Sequence, residues 1–139
     1  MNIDKLDLEP LQKAIRSLKT SIDAYTLDKQ NEFIRDSFIK RFEYSYELSH
    51  KIVKRYLSIV SPDPNSINEM TFQELIRQAY TKGILENSWD MWKLYKEARN
   101  NSSHSYNEDK AITIANDIEI FYSEAIYLLK KLQDYNKNI

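Results

Sequence analysis

The chain has 139 residues, 42% of them apolar, with 20 basic and 21 acidic side chains, one glycine, three prolines and no cysteine. These values suit one domain spanning residues 1–139. They exclude disulfides, thiol nucleophiles and thiolate metal sites, and they rule against a chain that coats nucleic acid through bulk positive charge. Scarce glycine and proline argue for long helices and against a turn-rich β fold. No apolar run approaches the roughly 18 residues that a membrane span requires, and the N-terminus lacks the basic-then-apolar pattern of a secretory signal. A cytoplasmic protein with no membrane partner is therefore expected.

Leu8, Leu11, Ile15, Leu18, Ile22 and Tyr25 step by three and four, which places them on one stripe of a helix over 7–26. Pro10 is tolerated only in a first turn and fixes the start near Asp7. A second helix is expected over 31–60, where Ile34, Phe38, Phe42, Ser45, Ser49, Ile52, Tyr56 and Leu57 repeat the pattern. Phe33, Ile39, Tyr44, Tyr46, Leu48 and Val53 widen its apolar surface, so it should touch neighbours on two sides, another subunit among the candidates. Ser61-Pro62-Asp63-Pro64-Asn65-Ser66 reads as a loop.

Thr71 and Glu74 fit a capping box opening a helix over 71–82, which Gly83 stops in the left-handed conformation. Ser88 is expected to cap a helix over 88–100. The last helix, 107–135, carries Ala111, Ile114, Ile118, Phe121, Ala125, Leu128 and Leu132 on one stripe. Glu108 and Asp109 at its start and Lys130 and Lys131 near its end suit the helix dipole. The expected fold is an all-α, up-and-down antiparallel bundle of four to five helices. Its core should include Leu11, Ile15, Leu18, Phe38, Phe42, Ile52, Leu75, Ile114, Ile118, Phe121 and Leu128.

The stretch Ala98-Arg99-Asn100-Asn101-Ser102-Ser103-His104-Ser105-Tyr106-Asn107 lies between two periodic segments. Its small polar residues compete with the helix backbone for hydrogen bonds. The expectation is a helix that frays after Arg99, a polar turn carrying His104, and a new helix capped by Asn107. Arg99 offers a planar, permanently charged fork that fits a phosphate, or it simply faces the carbonyls at a helix end. Imidazole is the side chain whose charge changes near neutral pH. Together the two groups suit metal-free RNA cleavage: His104 handles the proton of the 2′-hydroxyl or the leaving oxygen, and Arg99 stabilises charge on the phosphate. The plainer reading of His104 is polar surface.

Other constellations are poorer. Glu43, Glu47 and His50, at i, i+4 and i+7, read as an exposed ion-pair row before they read as metal ligands. Ser102, Ser103 and Ser105 lack a partner in sequence that completes a triad. One glycine cannot build a phosphate loop. The ten tyrosines lie in helical stripes and suit a core better than a base-stacking platform. Charge is uneven: residues 35–55 carry six basic and three acidic side chains, while 108–134 carry six acidic and three basic. Both patterns suit solvated helix faces.

Arg99-Asn100-x-x-x-His104-x-Tyr106-Asn107 resembles the R-x(4)-H-x-Y motif of the HEPN superfamily. It is most similar to the branch of nucleotidyltransferase substrate-binding proteins that includes HepT-type toxins. Ile39-Lys40-Arg41-Phe42-Glu43-Tyr44-Ser45-Tyr46-Glu47-Leu48 is similar to the family's R-F-E-x-x-x-E-L stretch. Ile76-Arg77-Gln78-Ala79-Tyr80, Gly83 and Trp89 to Met91 resemble its approach to the motif. His50 departs from the family, which often has a tryptophan near that point.

The resemblance implies one HEPN-like helical domain that forms a homodimer or a higher even oligomer, with two motifs meeting at a cleft between subunits. It also implies a metal-independent ribonuclease toxin of a type VII-like toxin–antitoxin pair, needing no cofactor. Its implied partner is an MNT-type nucleotidyltransferase antitoxin that silences it by attaching AMP to Tyr106. Arg99 and His104 take the catalytic roles by the same resemblance, and Asn100 an orienting one. Two readings stand side by side: a ribonuclease, and a non-enzymatic subunit that presents a surface to a small nucleotidyltransferase.

Overall fold

A computed structural model describes residues 5–139. The elements run α1 Glu9–Leu27, α2 Glu32–Val60, α3 Pro64–Asn68, α4 Phe72–Thr81, α5 Trp89–Asn101, a 3₁₀ turn Ser102–His104, α6 Glu108–Ile118 and α7 Phe121–Lys137. Among the described residues there is no strand, as the all-α reading requires. The helix count exceeds the expected four to five for two reasons. Pro64 occupies the first turn of a short helix inside the expected loop, where a proline needs no N–H partner. The single helix expected over 107–135 is also interrupted at Glu119–Ile120.

Side-chain pairings give the directions. Arg41 Nη1 donates to the Ser17 carbonyl and Ser45 Oγ to that of Ala14, so α1 and α2 are antiparallel. The Leu6 amide donates to Asn136 Oδ1, Lys19 lies over the Tyr122 ring, and Tyr25 Oη meets Asn116 Oδ1. As α1 advances, its partners retreat through α7 into α6, so those two helices form one line despite the break. Phe42 packs on Phe121 and Tyr56 on Tyr135, which sets α2 parallel to that line.

Helix α2 lies at the centre. Phe38, Ile39, Phe42, Tyr46, Val53 and Leu57 are buried in one cluster with side chains from all the other α-helices. Its wide apolar surface is therefore mostly covered by its own chain; Phe33 and Tyr44 remain exposed. Every expected core residue is buried except Ile52, which is half-buried at the edge of the cluster. Phe42, Tyr46, Phe72, Trp92, Tyr95 and Phe121 form a continuous aromatic group with centroid spacings of 5.1–6.3 Å.

The caps largely follow the sequence. The Thr71 hydroxyl accepts from the Glu74 amide, and Asn107 Oδ1 from that of Lys110. Gly83 has φ of +82°, and the Gly83 and Ile84 amides return to the Tyr80 and Ala79 carbonyls, which closes α4 in a Schellman motif. Ser88 differs: it stands at the N-cap, but its side chain makes no capping bond. The Glu124 carboxylate fastens this loop instead. It is 1% exposed and accepts from the Glu86 amide at 2.9 Å, the Asn87 amide at 2.7 Å and Trp92 Nε1 at 3.1 Å. Burial pushes its pKa up, and the three donors pull the other way.

Glu124→Ala should therefore lower unfolding free energy by about 3 kcal/mol or more, because three donors lose their acceptor and an unfilled buried donor costs about 1–3 kcal/mol. Urea denaturation measures it. A loss below about 1 kcal/mol would show that the carboxylate is not a structural tie.

Candidate functional site

The motif segment is fastened to α2 at both ends. At the near end, Arg99 Nε donates to Glu47 Oε1 at 2.9 Å, and Nη1 lies 3.4 Å from Glu43 Oε2. Glu43 and Glu47 are one helical turn apart, so both carboxylates reach the same side of α2. At the far end, Arg35 on the same stripe lies with Nη1 4.0 Å from Glu108 Oε1 in the first turn of α6. Arg35 is buried; Nη2 donates to the Lys29 carbonyl at 3.4 Å, and Nε takes no partner among the described residues.

Between these anchors the backbone does not fray after Arg99. It stays helical to Asn101 and tightens into the 3₁₀ turn. The polar side chains that compete with a helix here support a tighter one. Ser102 Oγ donates to the Arg99 carbonyl at 2.6 Å, and Ser103 Oγ to that of Asn100 at 3.3 Å. Ser102 is buried and its Oγ also accepts from Arg99 Nη1 at 3.3 Å, so a plain turn former becomes part of the arginine's cradle.

His104 and Tyr106 face outward. Their ring centroids are 6.1 Å apart, and Tyr106 is 86% exposed. Tyr106 is thus not packed on Trp92, which is fully buried. Asn100 is exposed, with no hydrogen bond to its side-chain amide among the described residues. The structure places Arg99, Asn100, His104 and Tyr106 on one helix end and the turn that follows. It pairs Arg99 with carboxylates and brings His104 alongside Tyr106.

The row Glu43, Glu47 and His50 resolves differently from a solvated strip. The two glutamates hold Arg99. His50 packs its ring on Phe72 at 4.6 Å, and burial lowers its pKa. No group of three or more potential metal-ligating His, Cys, Asp or Glu side chains occurs among the described residues. A cleft of about 300 Å³ between α5 and α6, lined by Leu94, Ala98, Asn101, Lys110 and Ile114 among others, excludes Arg99, His104 and Tyr106. Arg35, Ser102 and the role of both glutamates were not foreseen from sequence. The available signal was the i, i+4, i+8, i+12 series Arg35, Ile39, Glu43 and Glu47, which places three charged side chains on one stripe of α2.

Residues 6–134 match the family described as nucleotidyltransferase substrate binding protein like, and the chain belongs to that family. Probable ribonuclease HepT of Haemophilus influenzae is 31% identical over 145 residues, covering 99% of both chains. A solved Haemophilus influenzae structure, described as revealing the fold of a substrate binding domain of a nucleotidyltransferase, has a TM-score of 0.85 and 28% identity. The match covers 91% of this chain and 99% of that one. The branch suggested by residues 39–48 and 99–107 is thus the branch to which the chain belongs. No helix among the described residues is long and apolar enough to cross a membrane.

Arg99→Ala removes the cation between two partly exposed carboxylates and should lower stability by about 1 kcal/mol, less at high salt. His104→Ala, on exposed surface, should change it by less than about 0.5 kcal/mol. Denaturation of both variants at low and high ionic strength separates them; equal losses would mean that the Arg99 pair contributes nothing.

Proposed function

We propose that this chain is a metal-independent endoribonuclease toxin of the HepT type, acting as one domain in the cytoplasm. The observation that carries the reading is the motif turn itself. A guanidinium fixed by α2 is followed five residues later by an outward-facing imidazole and two residues after that by a phenol open to solvent. His104 takes the 2′-hydroxyl proton or protonates the leaving 5′ oxygen, and Arg99 stabilises the charge that builds on the phosphate. Asn100 orients the substrate. Two copies of the chain bring two motifs to one cleft, in a homodimer or a higher even oligomer.

The proposed partner is a small MNT-type nucleotidyltransferase, a reading supported by the family's description and by that of the solved relative. The antitoxin transfers AMP from ATP to the Tyr106 hydroxyl with release of pyrophosphate, and Tyr106 is 86% exposed. Each phosphodiester adds a negative charge and a bulky nucleotide beside the motif. RNA is then repelled and obstructed.

One observation favours the second reading, a non-enzymatic subunit that presents this surface to its transferase. Arg99 already faces two carboxylates, so the pairing leaves one net negative charge where RNA would approach. Two experiments decide between the readings. The purified chain should cleave single-stranded RNA in EDTA, with Arg99→Ala and His104→Ala each losing cleavage by at least about a hundredfold. Cleavage undiminished in both variants would place the activity elsewhere, and an inert wild type would favour the binding subunit. Incubation with the transferase, ATP and Mg²⁺ should add AMP to wild type and not to Tyr106→Phe, read by intact mass. Equal addition to both would mean that another residue is modified.

A further inference from the structure

We infer that Glu47 and Glu43 are positioning residues for Arg99, engaging Nε and Nη1 of its guanidinium so that its Nη2 amino group is presented to a phosphate. The inference rests on the ribonuclease reading and concerns how the same site is built. The α2 backbone beneath the pair is fixed, since Phe42, Ser45, Tyr46 and Ser49 are all buried. From that base Glu47 accepts from Nε at 2.9 Å, Glu43 lies 3.4 Å from Nη1, and Ser102 Oγ accepts from Nη1 at 3.3 Å. Nε and Nη1, one donor from each edge of the guanidinium fork, thus face oxygens. Nη2 takes no hydrogen bond or ion pair among the described residues, and the side chain keeps one-third of its surface exposed.

This arrangement has two opposing consequences. A guanidinium fixed at Nε and Nη1 loses little freedom when its Nη2 meets an anion, which favours a reacting geometry. The second carboxylate also repels any phosphate that approaches. If repulsion dominated, the glutamates would only obstruct, and deleting either would speed the reaction. Three oxygens converging on two of the three guanidinium nitrogens favour the positioning role, and the repulsion appears as weakened RNA affinity.

Glutamine separates the two effects, because it keeps a carbonyl oxygen for Nε and removes the charge. Glu47→Ala should lower kcat by about tenfold to a hundredfold through misplacement of Arg99. Glu47→Gln should recover most of that loss and lower KM below the wild-type value. The Nε–H resonance of Arg99 should be protected from solvent exchange in wild type and Glu47→Gln, and unprotected in Glu47→Ala. Wild-type kcat in Glu47→Ala, or a Glu47→Gln variant as slow as Glu47→Ala, would overturn the inference. An inert wild type would count against the ribonuclease reading alone. The inference is then judged with a non-cleavable 2′-O-methyl oligoribonucleotide: a shift of the Arg99 resonances in wild type that is lost in Glu47→Ala supports it, and equal binding by both overturns it.

Discussion

The ion pair of Arg99 with Glu47 and Glu43 decides where the motif turn sits. It is not a large source of stability, because all three side chains are partly exposed and such pairs contribute at most about 1 kcal/mol. Its importance is geometric. It ties the end of α5 to the middle of α2, and the Arg35–Glu108 contact ties the start of α6 further along the same stripe. The short segment between these contacts carries His104 and Tyr106 facing solvent.

Stability comes from elsewhere. The aromatic group around Trp92 and Phe121 and the aliphatic stripes of α1, α2, α6 and α7 bury most of the apolar surface. The Glu124 carboxylate performs for the α4–α5 loop what Arg99 performs for the motif, with the opposite balance of burial and charge. It is almost fully enclosed and satisfied by three donors, so its loss is costly. Arg99 keeps Nη2 unengaged and part of its side chain exposed while Glu47 and Glu43 hold it, which suits the proposed contact with a phosphate.

Much of the fold was legible because helical periodicity is local. The stripes Leu11–Tyr25 and Ala111–Leu132 fixed which faces are buried, and Thr71, Gly83 and Asn107 marked ends through hydrogen bonds that span only three to five residues. What failed was decided by longer-range or competing interactions. Ser88 stands at a helix start, yet the loop before it is held by Glu124 from α7, far away in sequence. Asn100 to Ser103 lower helix propensity, but two serine hydroxyls returning to carbonyls kept the chain helical. Arg99 and His104 are proposed as site residues from local spacing and family resemblance, and Asn100 and Tyr106 from the resemblance. Glu43 and Glu47, some fifty residues earlier, read as an exposed ion-pair row, and nothing local shows that the cation they pair with is Arg99.

We propose that Arg99 and His104 act on one RNA phosphate with the 2′-hydroxyl as nucleophile. The decisive measurement maps the ends of the products formed in EDTA, alongside a substrate carrying a single 2′-deoxy nucleotide at the cleaved position. The expected result is 2′,3′-cyclic phosphate and 5′-hydroxyl ends, and no cleavage at the deoxy position. Cleavage there at an undiminished rate, or products with 5′-phosphate ends, would contradict it.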